Sequence, residues 1–477
     1  MTAVPAGAGP PEAGTGGAGS AGGAGGAGAA GGAAAAGGAA GIAGARLLLG
    51  TMVDNAGLVR AKSVPGPRIA AAARDGIGLS PVFAVFCADD HITETARYGG
   101  PVGDMRVRPD LAAAALIDPA AGLAWAPFDQ YDQDLAVMET CQRSLLRRQD
   151  KAARAAGLDF LMGFETEFTV FAGQDLSQPA TSGPAYGLRP WLELEEFSRD
   201  LLDALATAGV GVETLHPEYG PGQLEISLAP RRPVAAADQY VLARLIVQRT
   251  ARRHGRAVSF APLTLPESIG NGCHLHISAT TEGRSVFAGG DGRFGLTPAG
   301  AAMIGGLVAH LPEASGLLTP SVLSYDRLVP GLWSGAYACW GVENREAAIR
   351  FVPGTAGTRE ATANVEVKAI DGTSNPYLAA AAVLAMAMAG LAEERTAPEP
   401  VQVAPDELAA GVRERAGIRR LPADLGSALA LLDGSALLRA ALGSAVVDCL
   451  VAIRQYELAT YGDRSQADRI ALLAPRY

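Results

Sequence analysis

Residues 163–171 read Gly-Phe-Glu-Thr-Glu-Phe-Thr-Val-Phe. Aromatic and β-branched residues at these positions predict a strand, and strand side chains alternate faces. Glu165 and Glu167 then share one face, while Phe164, Thr166 and Phe168 share the other. Two carboxylates closing on one face of a sheet repel unless a cation lies between them. An isolated Glu-x-Glu strand could equally be an amphipathic strand with a solvated acidic face, so its meaning depends on the rest of the chain.

Short β-type runs at 47–53, 58–62, 82–87, 115–118 and 123–126, punctuated by Gly and Pro, surround one short helix at 69–75. They predict a small α+β unit. A helix is expected over 135–156, with its arginines outward, leading into the Glu165 strand; others are expected over 192–208 and 236–253. Between the last two, His216-Pro-Glu218-Tyr-Gly-Pro-Gly-Gln-Leu-Glu225 forces a tight reversal, after which Gln223, Glu225 and Ser227 share a strand face. The segment 270–278 puts His274 and His276 at strand spacing after a Gly-rich turn. Glu366 and Lys368 share a face of a further strand. The Ala-rich run 378–392 is shorter than the ~20 residues of a membrane span and reads as a buried helix, and from about Pro405 the chain is helical.

Composition narrows the class. The chain has 477 residues, enough for two or three domains, and a net charge of -10 with scattered Lys and Arg. Nucleic acid and an anionic membrane are therefore not expected partners. Cys87, Cys141, Cys273, Cys339 and Cys449 are odd in number and widely spaced, which fits a reducing cytoplasm. Residues 1–45 are almost wholly Gly and Ala, lack a secretory pattern, and are expected to be disordered.

Glu165, Glu167, Glu218, Glu225 and Glu366, with a metal-capable His, suit Mg²⁺ or Mn²⁺ better than structural zinc. Arg327, Arg345, Arg350 and Lys368 among apolar strands call for anionic ligands, phosphates or carboxylates. No P-loop or kinase-type Gly-rich loop is present. The residues alone thus point to metal-dependent phosphoryl transfer.

The ordered series 164–168, 216–225, 272–276, 327–331, Glu343-Asn-Arg345 with Arg350, 364–368 and 375–378 resembles the glutamine synthetase family. The resemblance implies an α+β fold: a small N-terminal β-grasp domain (46–134) and a large catalytic domain (135–477) with a curved antiparallel sheet and helices. It also implies a homo-oligomer, a dodecamer of two hexameric rings with sites between neighbouring subunits. Glu167, Glu218 and Glu225 would hold one metal, and Glu165, His274 and Glu366 another. His276 would face nucleotide phosphate, Arg327 and Gly270 the amino-acid substrate, and Arg345 and Arg350 phosphate, with Lys368 where the family has a phosphate-contacting Arg. The implied reaction uses ATP and two or more Mg²⁺ or Mn²⁺ to phosphorylate the γ-carboxylate of glutamate, and an amine then attacks.

Three departures bear on the amine. Trp333 stands six residues beyond Arg327, where ammonia-using members carry a flap Glu, which implies a larger organic amine such as a polyamine, ethanolamine or another alkylamine. The family's Asp-Gly-Ser loop is absent, and Asp89 or Asp90 falls in that region. The turn before the first His is Ile269-Gly-Asn-Gly272 rather than Asn-Gly-Ser-Gly. An ordinary ammonia-using glutamine synthetase and a catalytically silent homologue are the other readings.

Overall fold

The computed structural model describes residues 41–477. The expected disorder of the Gly/Ala-rich tail lies outside the described residues, except at its end, where the expectation fails. Ile42 is buried against Leu48 and Val64, and Ala45 N–H donates to the Ile42 carbonyl in a turn. One large apolar side chain suffices to anchor the segment.

Two sheets organise the chain. The first has six strands in the order Val59–Pro65, Leu47–Val53, Leu123–Tyr131, Met105–Pro109, Ile77–Leu79, with Ala115–Asp118 on the edge of Leu123–Tyr131. Leu47–Val53 runs parallel to Leu123–Tyr131 and all other pairs are antiparallel. The expected strand at 82–87 is instead a 3₁₀ turn, Pro81–Val85. Pro81 lacks a ladder donor, and Ser80 Oγ caps the turn by accepting from Val82 N–H.

The second sheet has ten strands. Its main path runs Arg419–Arg420, Tyr337–Val342, Ala347–Val352, Asn364–Val367, Cys273–Thr281, Asp159–Phe171, Gln223–Leu228, Val212–Pro217. It is antiparallel except that Tyr337–Val342 and Ala347–Val352 lie parallel, a departure from the expected antiparallel sheet. Parallel neighbours ordinarily need a crossover of a dozen residues or more, and here residues 343–346 make the return alone. Glu343 adopts a left-handed φ of 53° to do so. The segment after Pro400 supplies the missing bonds: Asn344 Nδ2 donates to the Val401 and Val403 carbonyls, and Gln402 pairs with both backbone groups of Val342.

Along Asp159–Phe171 the predicted alternation holds. Phe160, Met162, Phe164 and Phe168 face the helical layer, Phe164 stacking on Tyr240 of helix Pro233–Arg253. Each such side chain contributes about 1.5–3 kcal/mol on burial. The opposite face is left to the carboxylates. Helices Pro298–Leu318 and Pro376–Ala392 pack so closely that a Cβ on Gly390 would lie 2.1 Å from the Ala302 carbonyl oxygen. Pro298–Leu318 is long and apolar enough to cross a membrane, but 78% of its apolar window is buried inside the protein. It is a core helix.

Two helix expectations need correction. The helix expected over 135–156 begins only at Gln142, because Leu135 sits at φ 61° in a turn that Asp132 Oδ1 closes by accepting from Asp134 and Ala136 N–H. Its arginines are not all outward. Arg143 is 5% exposed and forms a bidentate pair with Asp238 (2.8 and 2.7 Å), a second with Asp129 (3.1 Å) and a third with Asp110 (2.9 Å). Asp110 and Asp129 belong to the first-sheet region and Asp238 to helix Pro233–Arg253, so one guanidinium joins the two parts of the chain. The helix expected over 192–208 is broken at Leu194 into Leu188–Glu193 and Glu195–Thr207.

Candidate active site

Strand register assembles the site. His274 lies opposite Glu165, Glu225 opposite Glu167, Glu366 opposite His276, Arg350 opposite Glu366 and His216 opposite Glu225. Charged groups from six strands therefore meet on one sheet face. Residues more than 200 positions apart become neighbours.

Ligand-capable atoms of Glu165, His274 and Glu366 lie within 4.8 Å of one another. His274 Nδ1 is 3.0 Å from Glu165 Oε1 and 3.1 Å from Glu366 Oε1. Two further groups share Glu225: Glu167 with His274, and His216 with Glu218. His216 was the residue that sequence reasoning missed as a ligand candidate. It lies at the head of the Glu218 and Glu225 motif, its Nε2 3.6 Å from both carboxylates, and its place opposite Glu225 was the available signal.

The charges are unevenly held. Burial, reinforced by Glu165, Glu167 and Glu218, pushes the Glu225 carboxyl well above the ordinary range against the pull of Lys368. Glu218 is raised in the same sense by burial and Glu167. Burial also opposes ionisation of Glu366, yet Lys368 and the two imidazoles hold it well below that range, as the hydrogen-bonded His274 and the neighbouring His276, 3.7 Å away, do for Glu165 despite its burial. Burial disfavours the charged form of His276, but Glu165, 3.7 Å from its Nε2, and the charge of Glu366 push it up to about 9. His216 Nδ1 and His276 Nε2 are buried without a hydrogen-bond partner. Crowded carboxylates, two of them driven toward the neutral form, with imidazoles interleaved, are a donor set that a hard divalent cation fits.

Arg327 is buried, its guanidinium donating to the Ile370 carbonyl at 3.3 Å. Gly270 and Gly272 let the backbone pass against it. A Cβ on Gly270 would lie 2.7 Å from Arg327 Cγ, and one on Gly272 would lie 2.6 Å from Arg327 Nη2 and 2.7 Å from His274 Nε2. Gly272 N–H also donates to Glu167 Oε2 at 2.7 Å, and Gln223 Nε2 donates to the same oxygen at 3.0 Å. Arg327, His274 and Glu167 thus meet at one glycine.

Lys368 Nζ lies 3.1 Å from Glu366 Oε1, and Arg350 bridges Glu366 and Glu343. Arg345 is not drawn into that cluster. Its guanidinium lies 5.9 Å from the Trp333 ring, beside a cavity of about 340 Å³. Trp333 is 55% exposed at φ 54°, with its backbone N–H donating to Glu346 Oε1 at 2.7 Å. Asp89 accepts from the Tyr456 and Tyr461 hydroxyls, and Asp90 pairs with Arg60. Both are held within the chain's own fold.

Comparison with known proteins agrees with this geometry. Residues 139–471 match the family described as glutamine synthetase, catalytic domain. The chain is 44% identical over 406 residues to gamma-glutamylpolyamine synthetase GlnA3 of Streptomyces coelicolor, covering 84% of this chain and 87% of that one. It is 30% identical to glutamine synthetase of Halobacterium salinarum, over 75% and 80% of the two chains. Among solved structures, a crystal structure titled as a novel glutamine synthase homolog superposes with a TM-score of 0.81 at 32% identity, covering 91% of this chain and 99% of that one. A GmaS/ADP complex superposes with a TM-score of 0.77 at 25% identity, over 89% and 96%. With its carboxylate and histidine series carried in order on the sheet that assembles them, the chain belongs to the glutamine synthetase family.

Proposed function

We propose that the chain is an ATP-dependent ligase that joins the γ-carboxylate of glutamate to an organic amine through γ-glutamyl phosphate. The observation that carries the reading is an undepleted set of ligand-capable residues together with Trp333, an indole at the sequence position where a flap carboxylate would serve ammonia. Indole neither takes a proton nor forms an ion pair with ammonium. The 44% likeness to a gamma-glutamylpolyamine synthetase supports the same reading.

Enzymes of this family use ATP and divalent metal ions. In this chain Glu165, His274 and Glu366, and Glu167, Glu218 and Glu225, are the proposed ligands for two or more Mg²⁺ or Mn²⁺, with His216 adjoining the second set. Such ions polarise the transferring phosphoryl group and neutralise its charge. Arg327 grips the substrate carboxylate in a niche that Gly270 and Gly272 keep open. His276, its Nδ1 2.9 Å from Asn364 Oδ1, faces nucleotide phosphate. Arg345 and Arg350 offset phosphate charge, and Lys368 keeps Glu366 ionised. The attacking amine must be neutral at nitrogen, so the site has to exclude water and accept a proton as the amide forms.

The proposal extends to a division at about residue 134 between an N-terminal β-grasp domain and a catalytic domain. It also includes a dodecamer of two rings, and a cytoplasmic setting in keeping with five unpaired, buried cysteines. Likeness to enzymes named glutamine synthetase favours one second reading, ammonia as the amine. Phosphate release from ATP with Mg²⁺ and glutamate, across ammonia, putrescine, spermidine, ethanolamine and methylamine, separates them. Release with an organic amine well above ammonia is expected, and release with ammonia alone would reverse the assignment.

A further inference from the structure

Apart from the cavity of about 340 Å³ that Glu343 and Arg345 border, a second, of about 310 Å³, lies between the first sheet and helix Pro233–Arg253. Its size falls at the low end of the roughly 300–1,000 Å³ of small-molecule pockets. Leu49, Leu58, Val59, Ala61 and Leu245 give it apolar walls, and the side chains of Arg60, Arg244 and Arg476 give it charge. Val59, Gln248 and Arg476 are exposed and mark its mouth, whereas Arg244, 5% exposed, lies deep in it.

The three arginines are not alike. Arg60 is held by Asp54 and Asp90, and Arg476 reaches Asp90 at 3.4 Å. Arg244 makes no ion pair among the described residues. Its Nη1 donates to the Gly372 carbonyl at 2.8 Å and its Nε is sealed in without an acceptor, while Nη2 also lacks an acceptor but is not sealed. The guanidinium lies over the rings of Phe260, at 4.6 Å, and Tyr240, at 5.6 Å, which hold it in place without neutralising it. A nearly buried cation with no counter-charge is costly, and one that lines a cavity is completed by an anion entering from solvent.

We infer that this cavity is a binding site for a small organic acid, separate from the carboxylate and histidine site. The acid's carboxylate accepts a hydrogen bond from Arg244 Nη2, and its compact apolar body lies against Leu49, Val59 and Leu245. A bare oxyanion such as phosphate or sulfate would meet the charge but leave the aliphatic walls uncovered, so the walls select for the acid.

The test is crystallography of the full chain with probes that anomalous scattering locates. Crystals soaked in 4-bromobenzoate are expected to show bromine in this cavity with the carboxylate at hydrogen-bond distance from Arg244, and crystals soaked in selenate at the same concentration to show no selenium there. In solution, 4-bromobenzoate should raise the melting temperature of wild type. The concentration needed should increase about tenfold or more in Arg244→Gln, the effect of one charge-assisted hydrogen bond, and by less in Arg244→Lys, which keeps the charge. The response should persist in Arg327→Gln, where the other buried arginine is altered. Bromine at Arg327 or Arg345 alone, selenium in this cavity in place of bromine, or a mouth closed by a second copy of the chain would overturn the inference even if no variant folds. Equal responses in wild type and Arg244→Gln would overturn it too, as would a response lost only in Arg327→Gln.

Discussion

Replacing Arg143 by methionine keeps the length of the side chain and removes its charge. Asp129 and Asp238 are both nearly buried, and in the variant Asp238 loses its bidentate cationic partner while Asp129 keeps only Arg147. Tyr377, which donates to Asp238 Oδ1 at 2.7 Å, remains as a neutral donor. Removing one member of a buried ion pair costs about 3–5 kcal/mol. Unfolding of residues 41–477 as a unit carries an entropy of roughly 0.9 kcal/mol/K, so that loss lowers the melting temperature by about 3–5 °C. Arg147 contacts the same Asp129 at 3.0 Å but is 42% exposed, and Arg147→Met should shift melting by less than about 1 °C. Differential scanning fluorimetry at one protein concentration compares the two. Adding Asp238→Asn to Arg143→Met should recover part of the loss, because it removes the stranded charge. Equal shifts in the two single variants, or no recovery in the double, would refute the idea that Arg143 holds the two parts of the chain together electrostatically.

Gly390→Ala should destabilise the protein by about 1–3 kcal/mol, since the new methyl group meets the Ala302 carbonyl at 2.1 Å; urea denaturation reads it. Gly272→Ala should weaken both Mg²⁺ and glutamate binding at least tenfold, as its methyl group meets Arg327 and His274 together, and titration calorimetry with each ligand alone checks this. Trp333→Glu should raise the use of ammonia relative to organic amines about tenfold or more in the phosphate-release assay. The raised Glu225 carboxyl gives the metal-free protein stability that is full below its ordinary value of 4.5 and is lost as pH rises through the raised value. Glu165 and Glu366, depressed, act oppositely, contributing above 4.5 and failing as pH falls. In EDTA the melting temperature of wild type should therefore fall relative to Glu225→Gln as pH climbs from about 4.5, and saturating Mg²⁺ should reverse the difference, since the variant lacks one proposed ligand. Parallel curves would count against it.

The site was legible in the sequence because strand periodicity is two. Glu165 and Glu167, or His274 and His276, declare a shared face from their spacing alone, and Phe164 and Phe168 declare the opposite one. Register across strands was not legible, so the pairing of His216 with Glu225 escaped notice. Arg143 was misjudged for a related reason: its partner Asp238 lies 95 residues away, and no local pattern distinguishes an arginine in water from one among distant carboxylates. Glu346 is a third case. Its burial depends on a return between parallel strands that is too short for the usual crossover, and residues 401–403 make that return possible by hydrogen bonds from outside it.

Arg350 has a consequence for how binding at the two ends of the site is linked. Its guanidinium is divided between Glu366, on the metal side, and Glu343, on the cavity wall. On the proposed metal assignment, a cation held by Glu366 would compete with Arg350 for that carboxylate and so change the field that an incoming amine meets. Thermodynamic reciprocity then requires the amine to change metal affinity by the same factor. On that assignment, metal preference measured without amine would describe a different binding equilibrium from the one with amine present, and the amine would be one determinant of which ion is held.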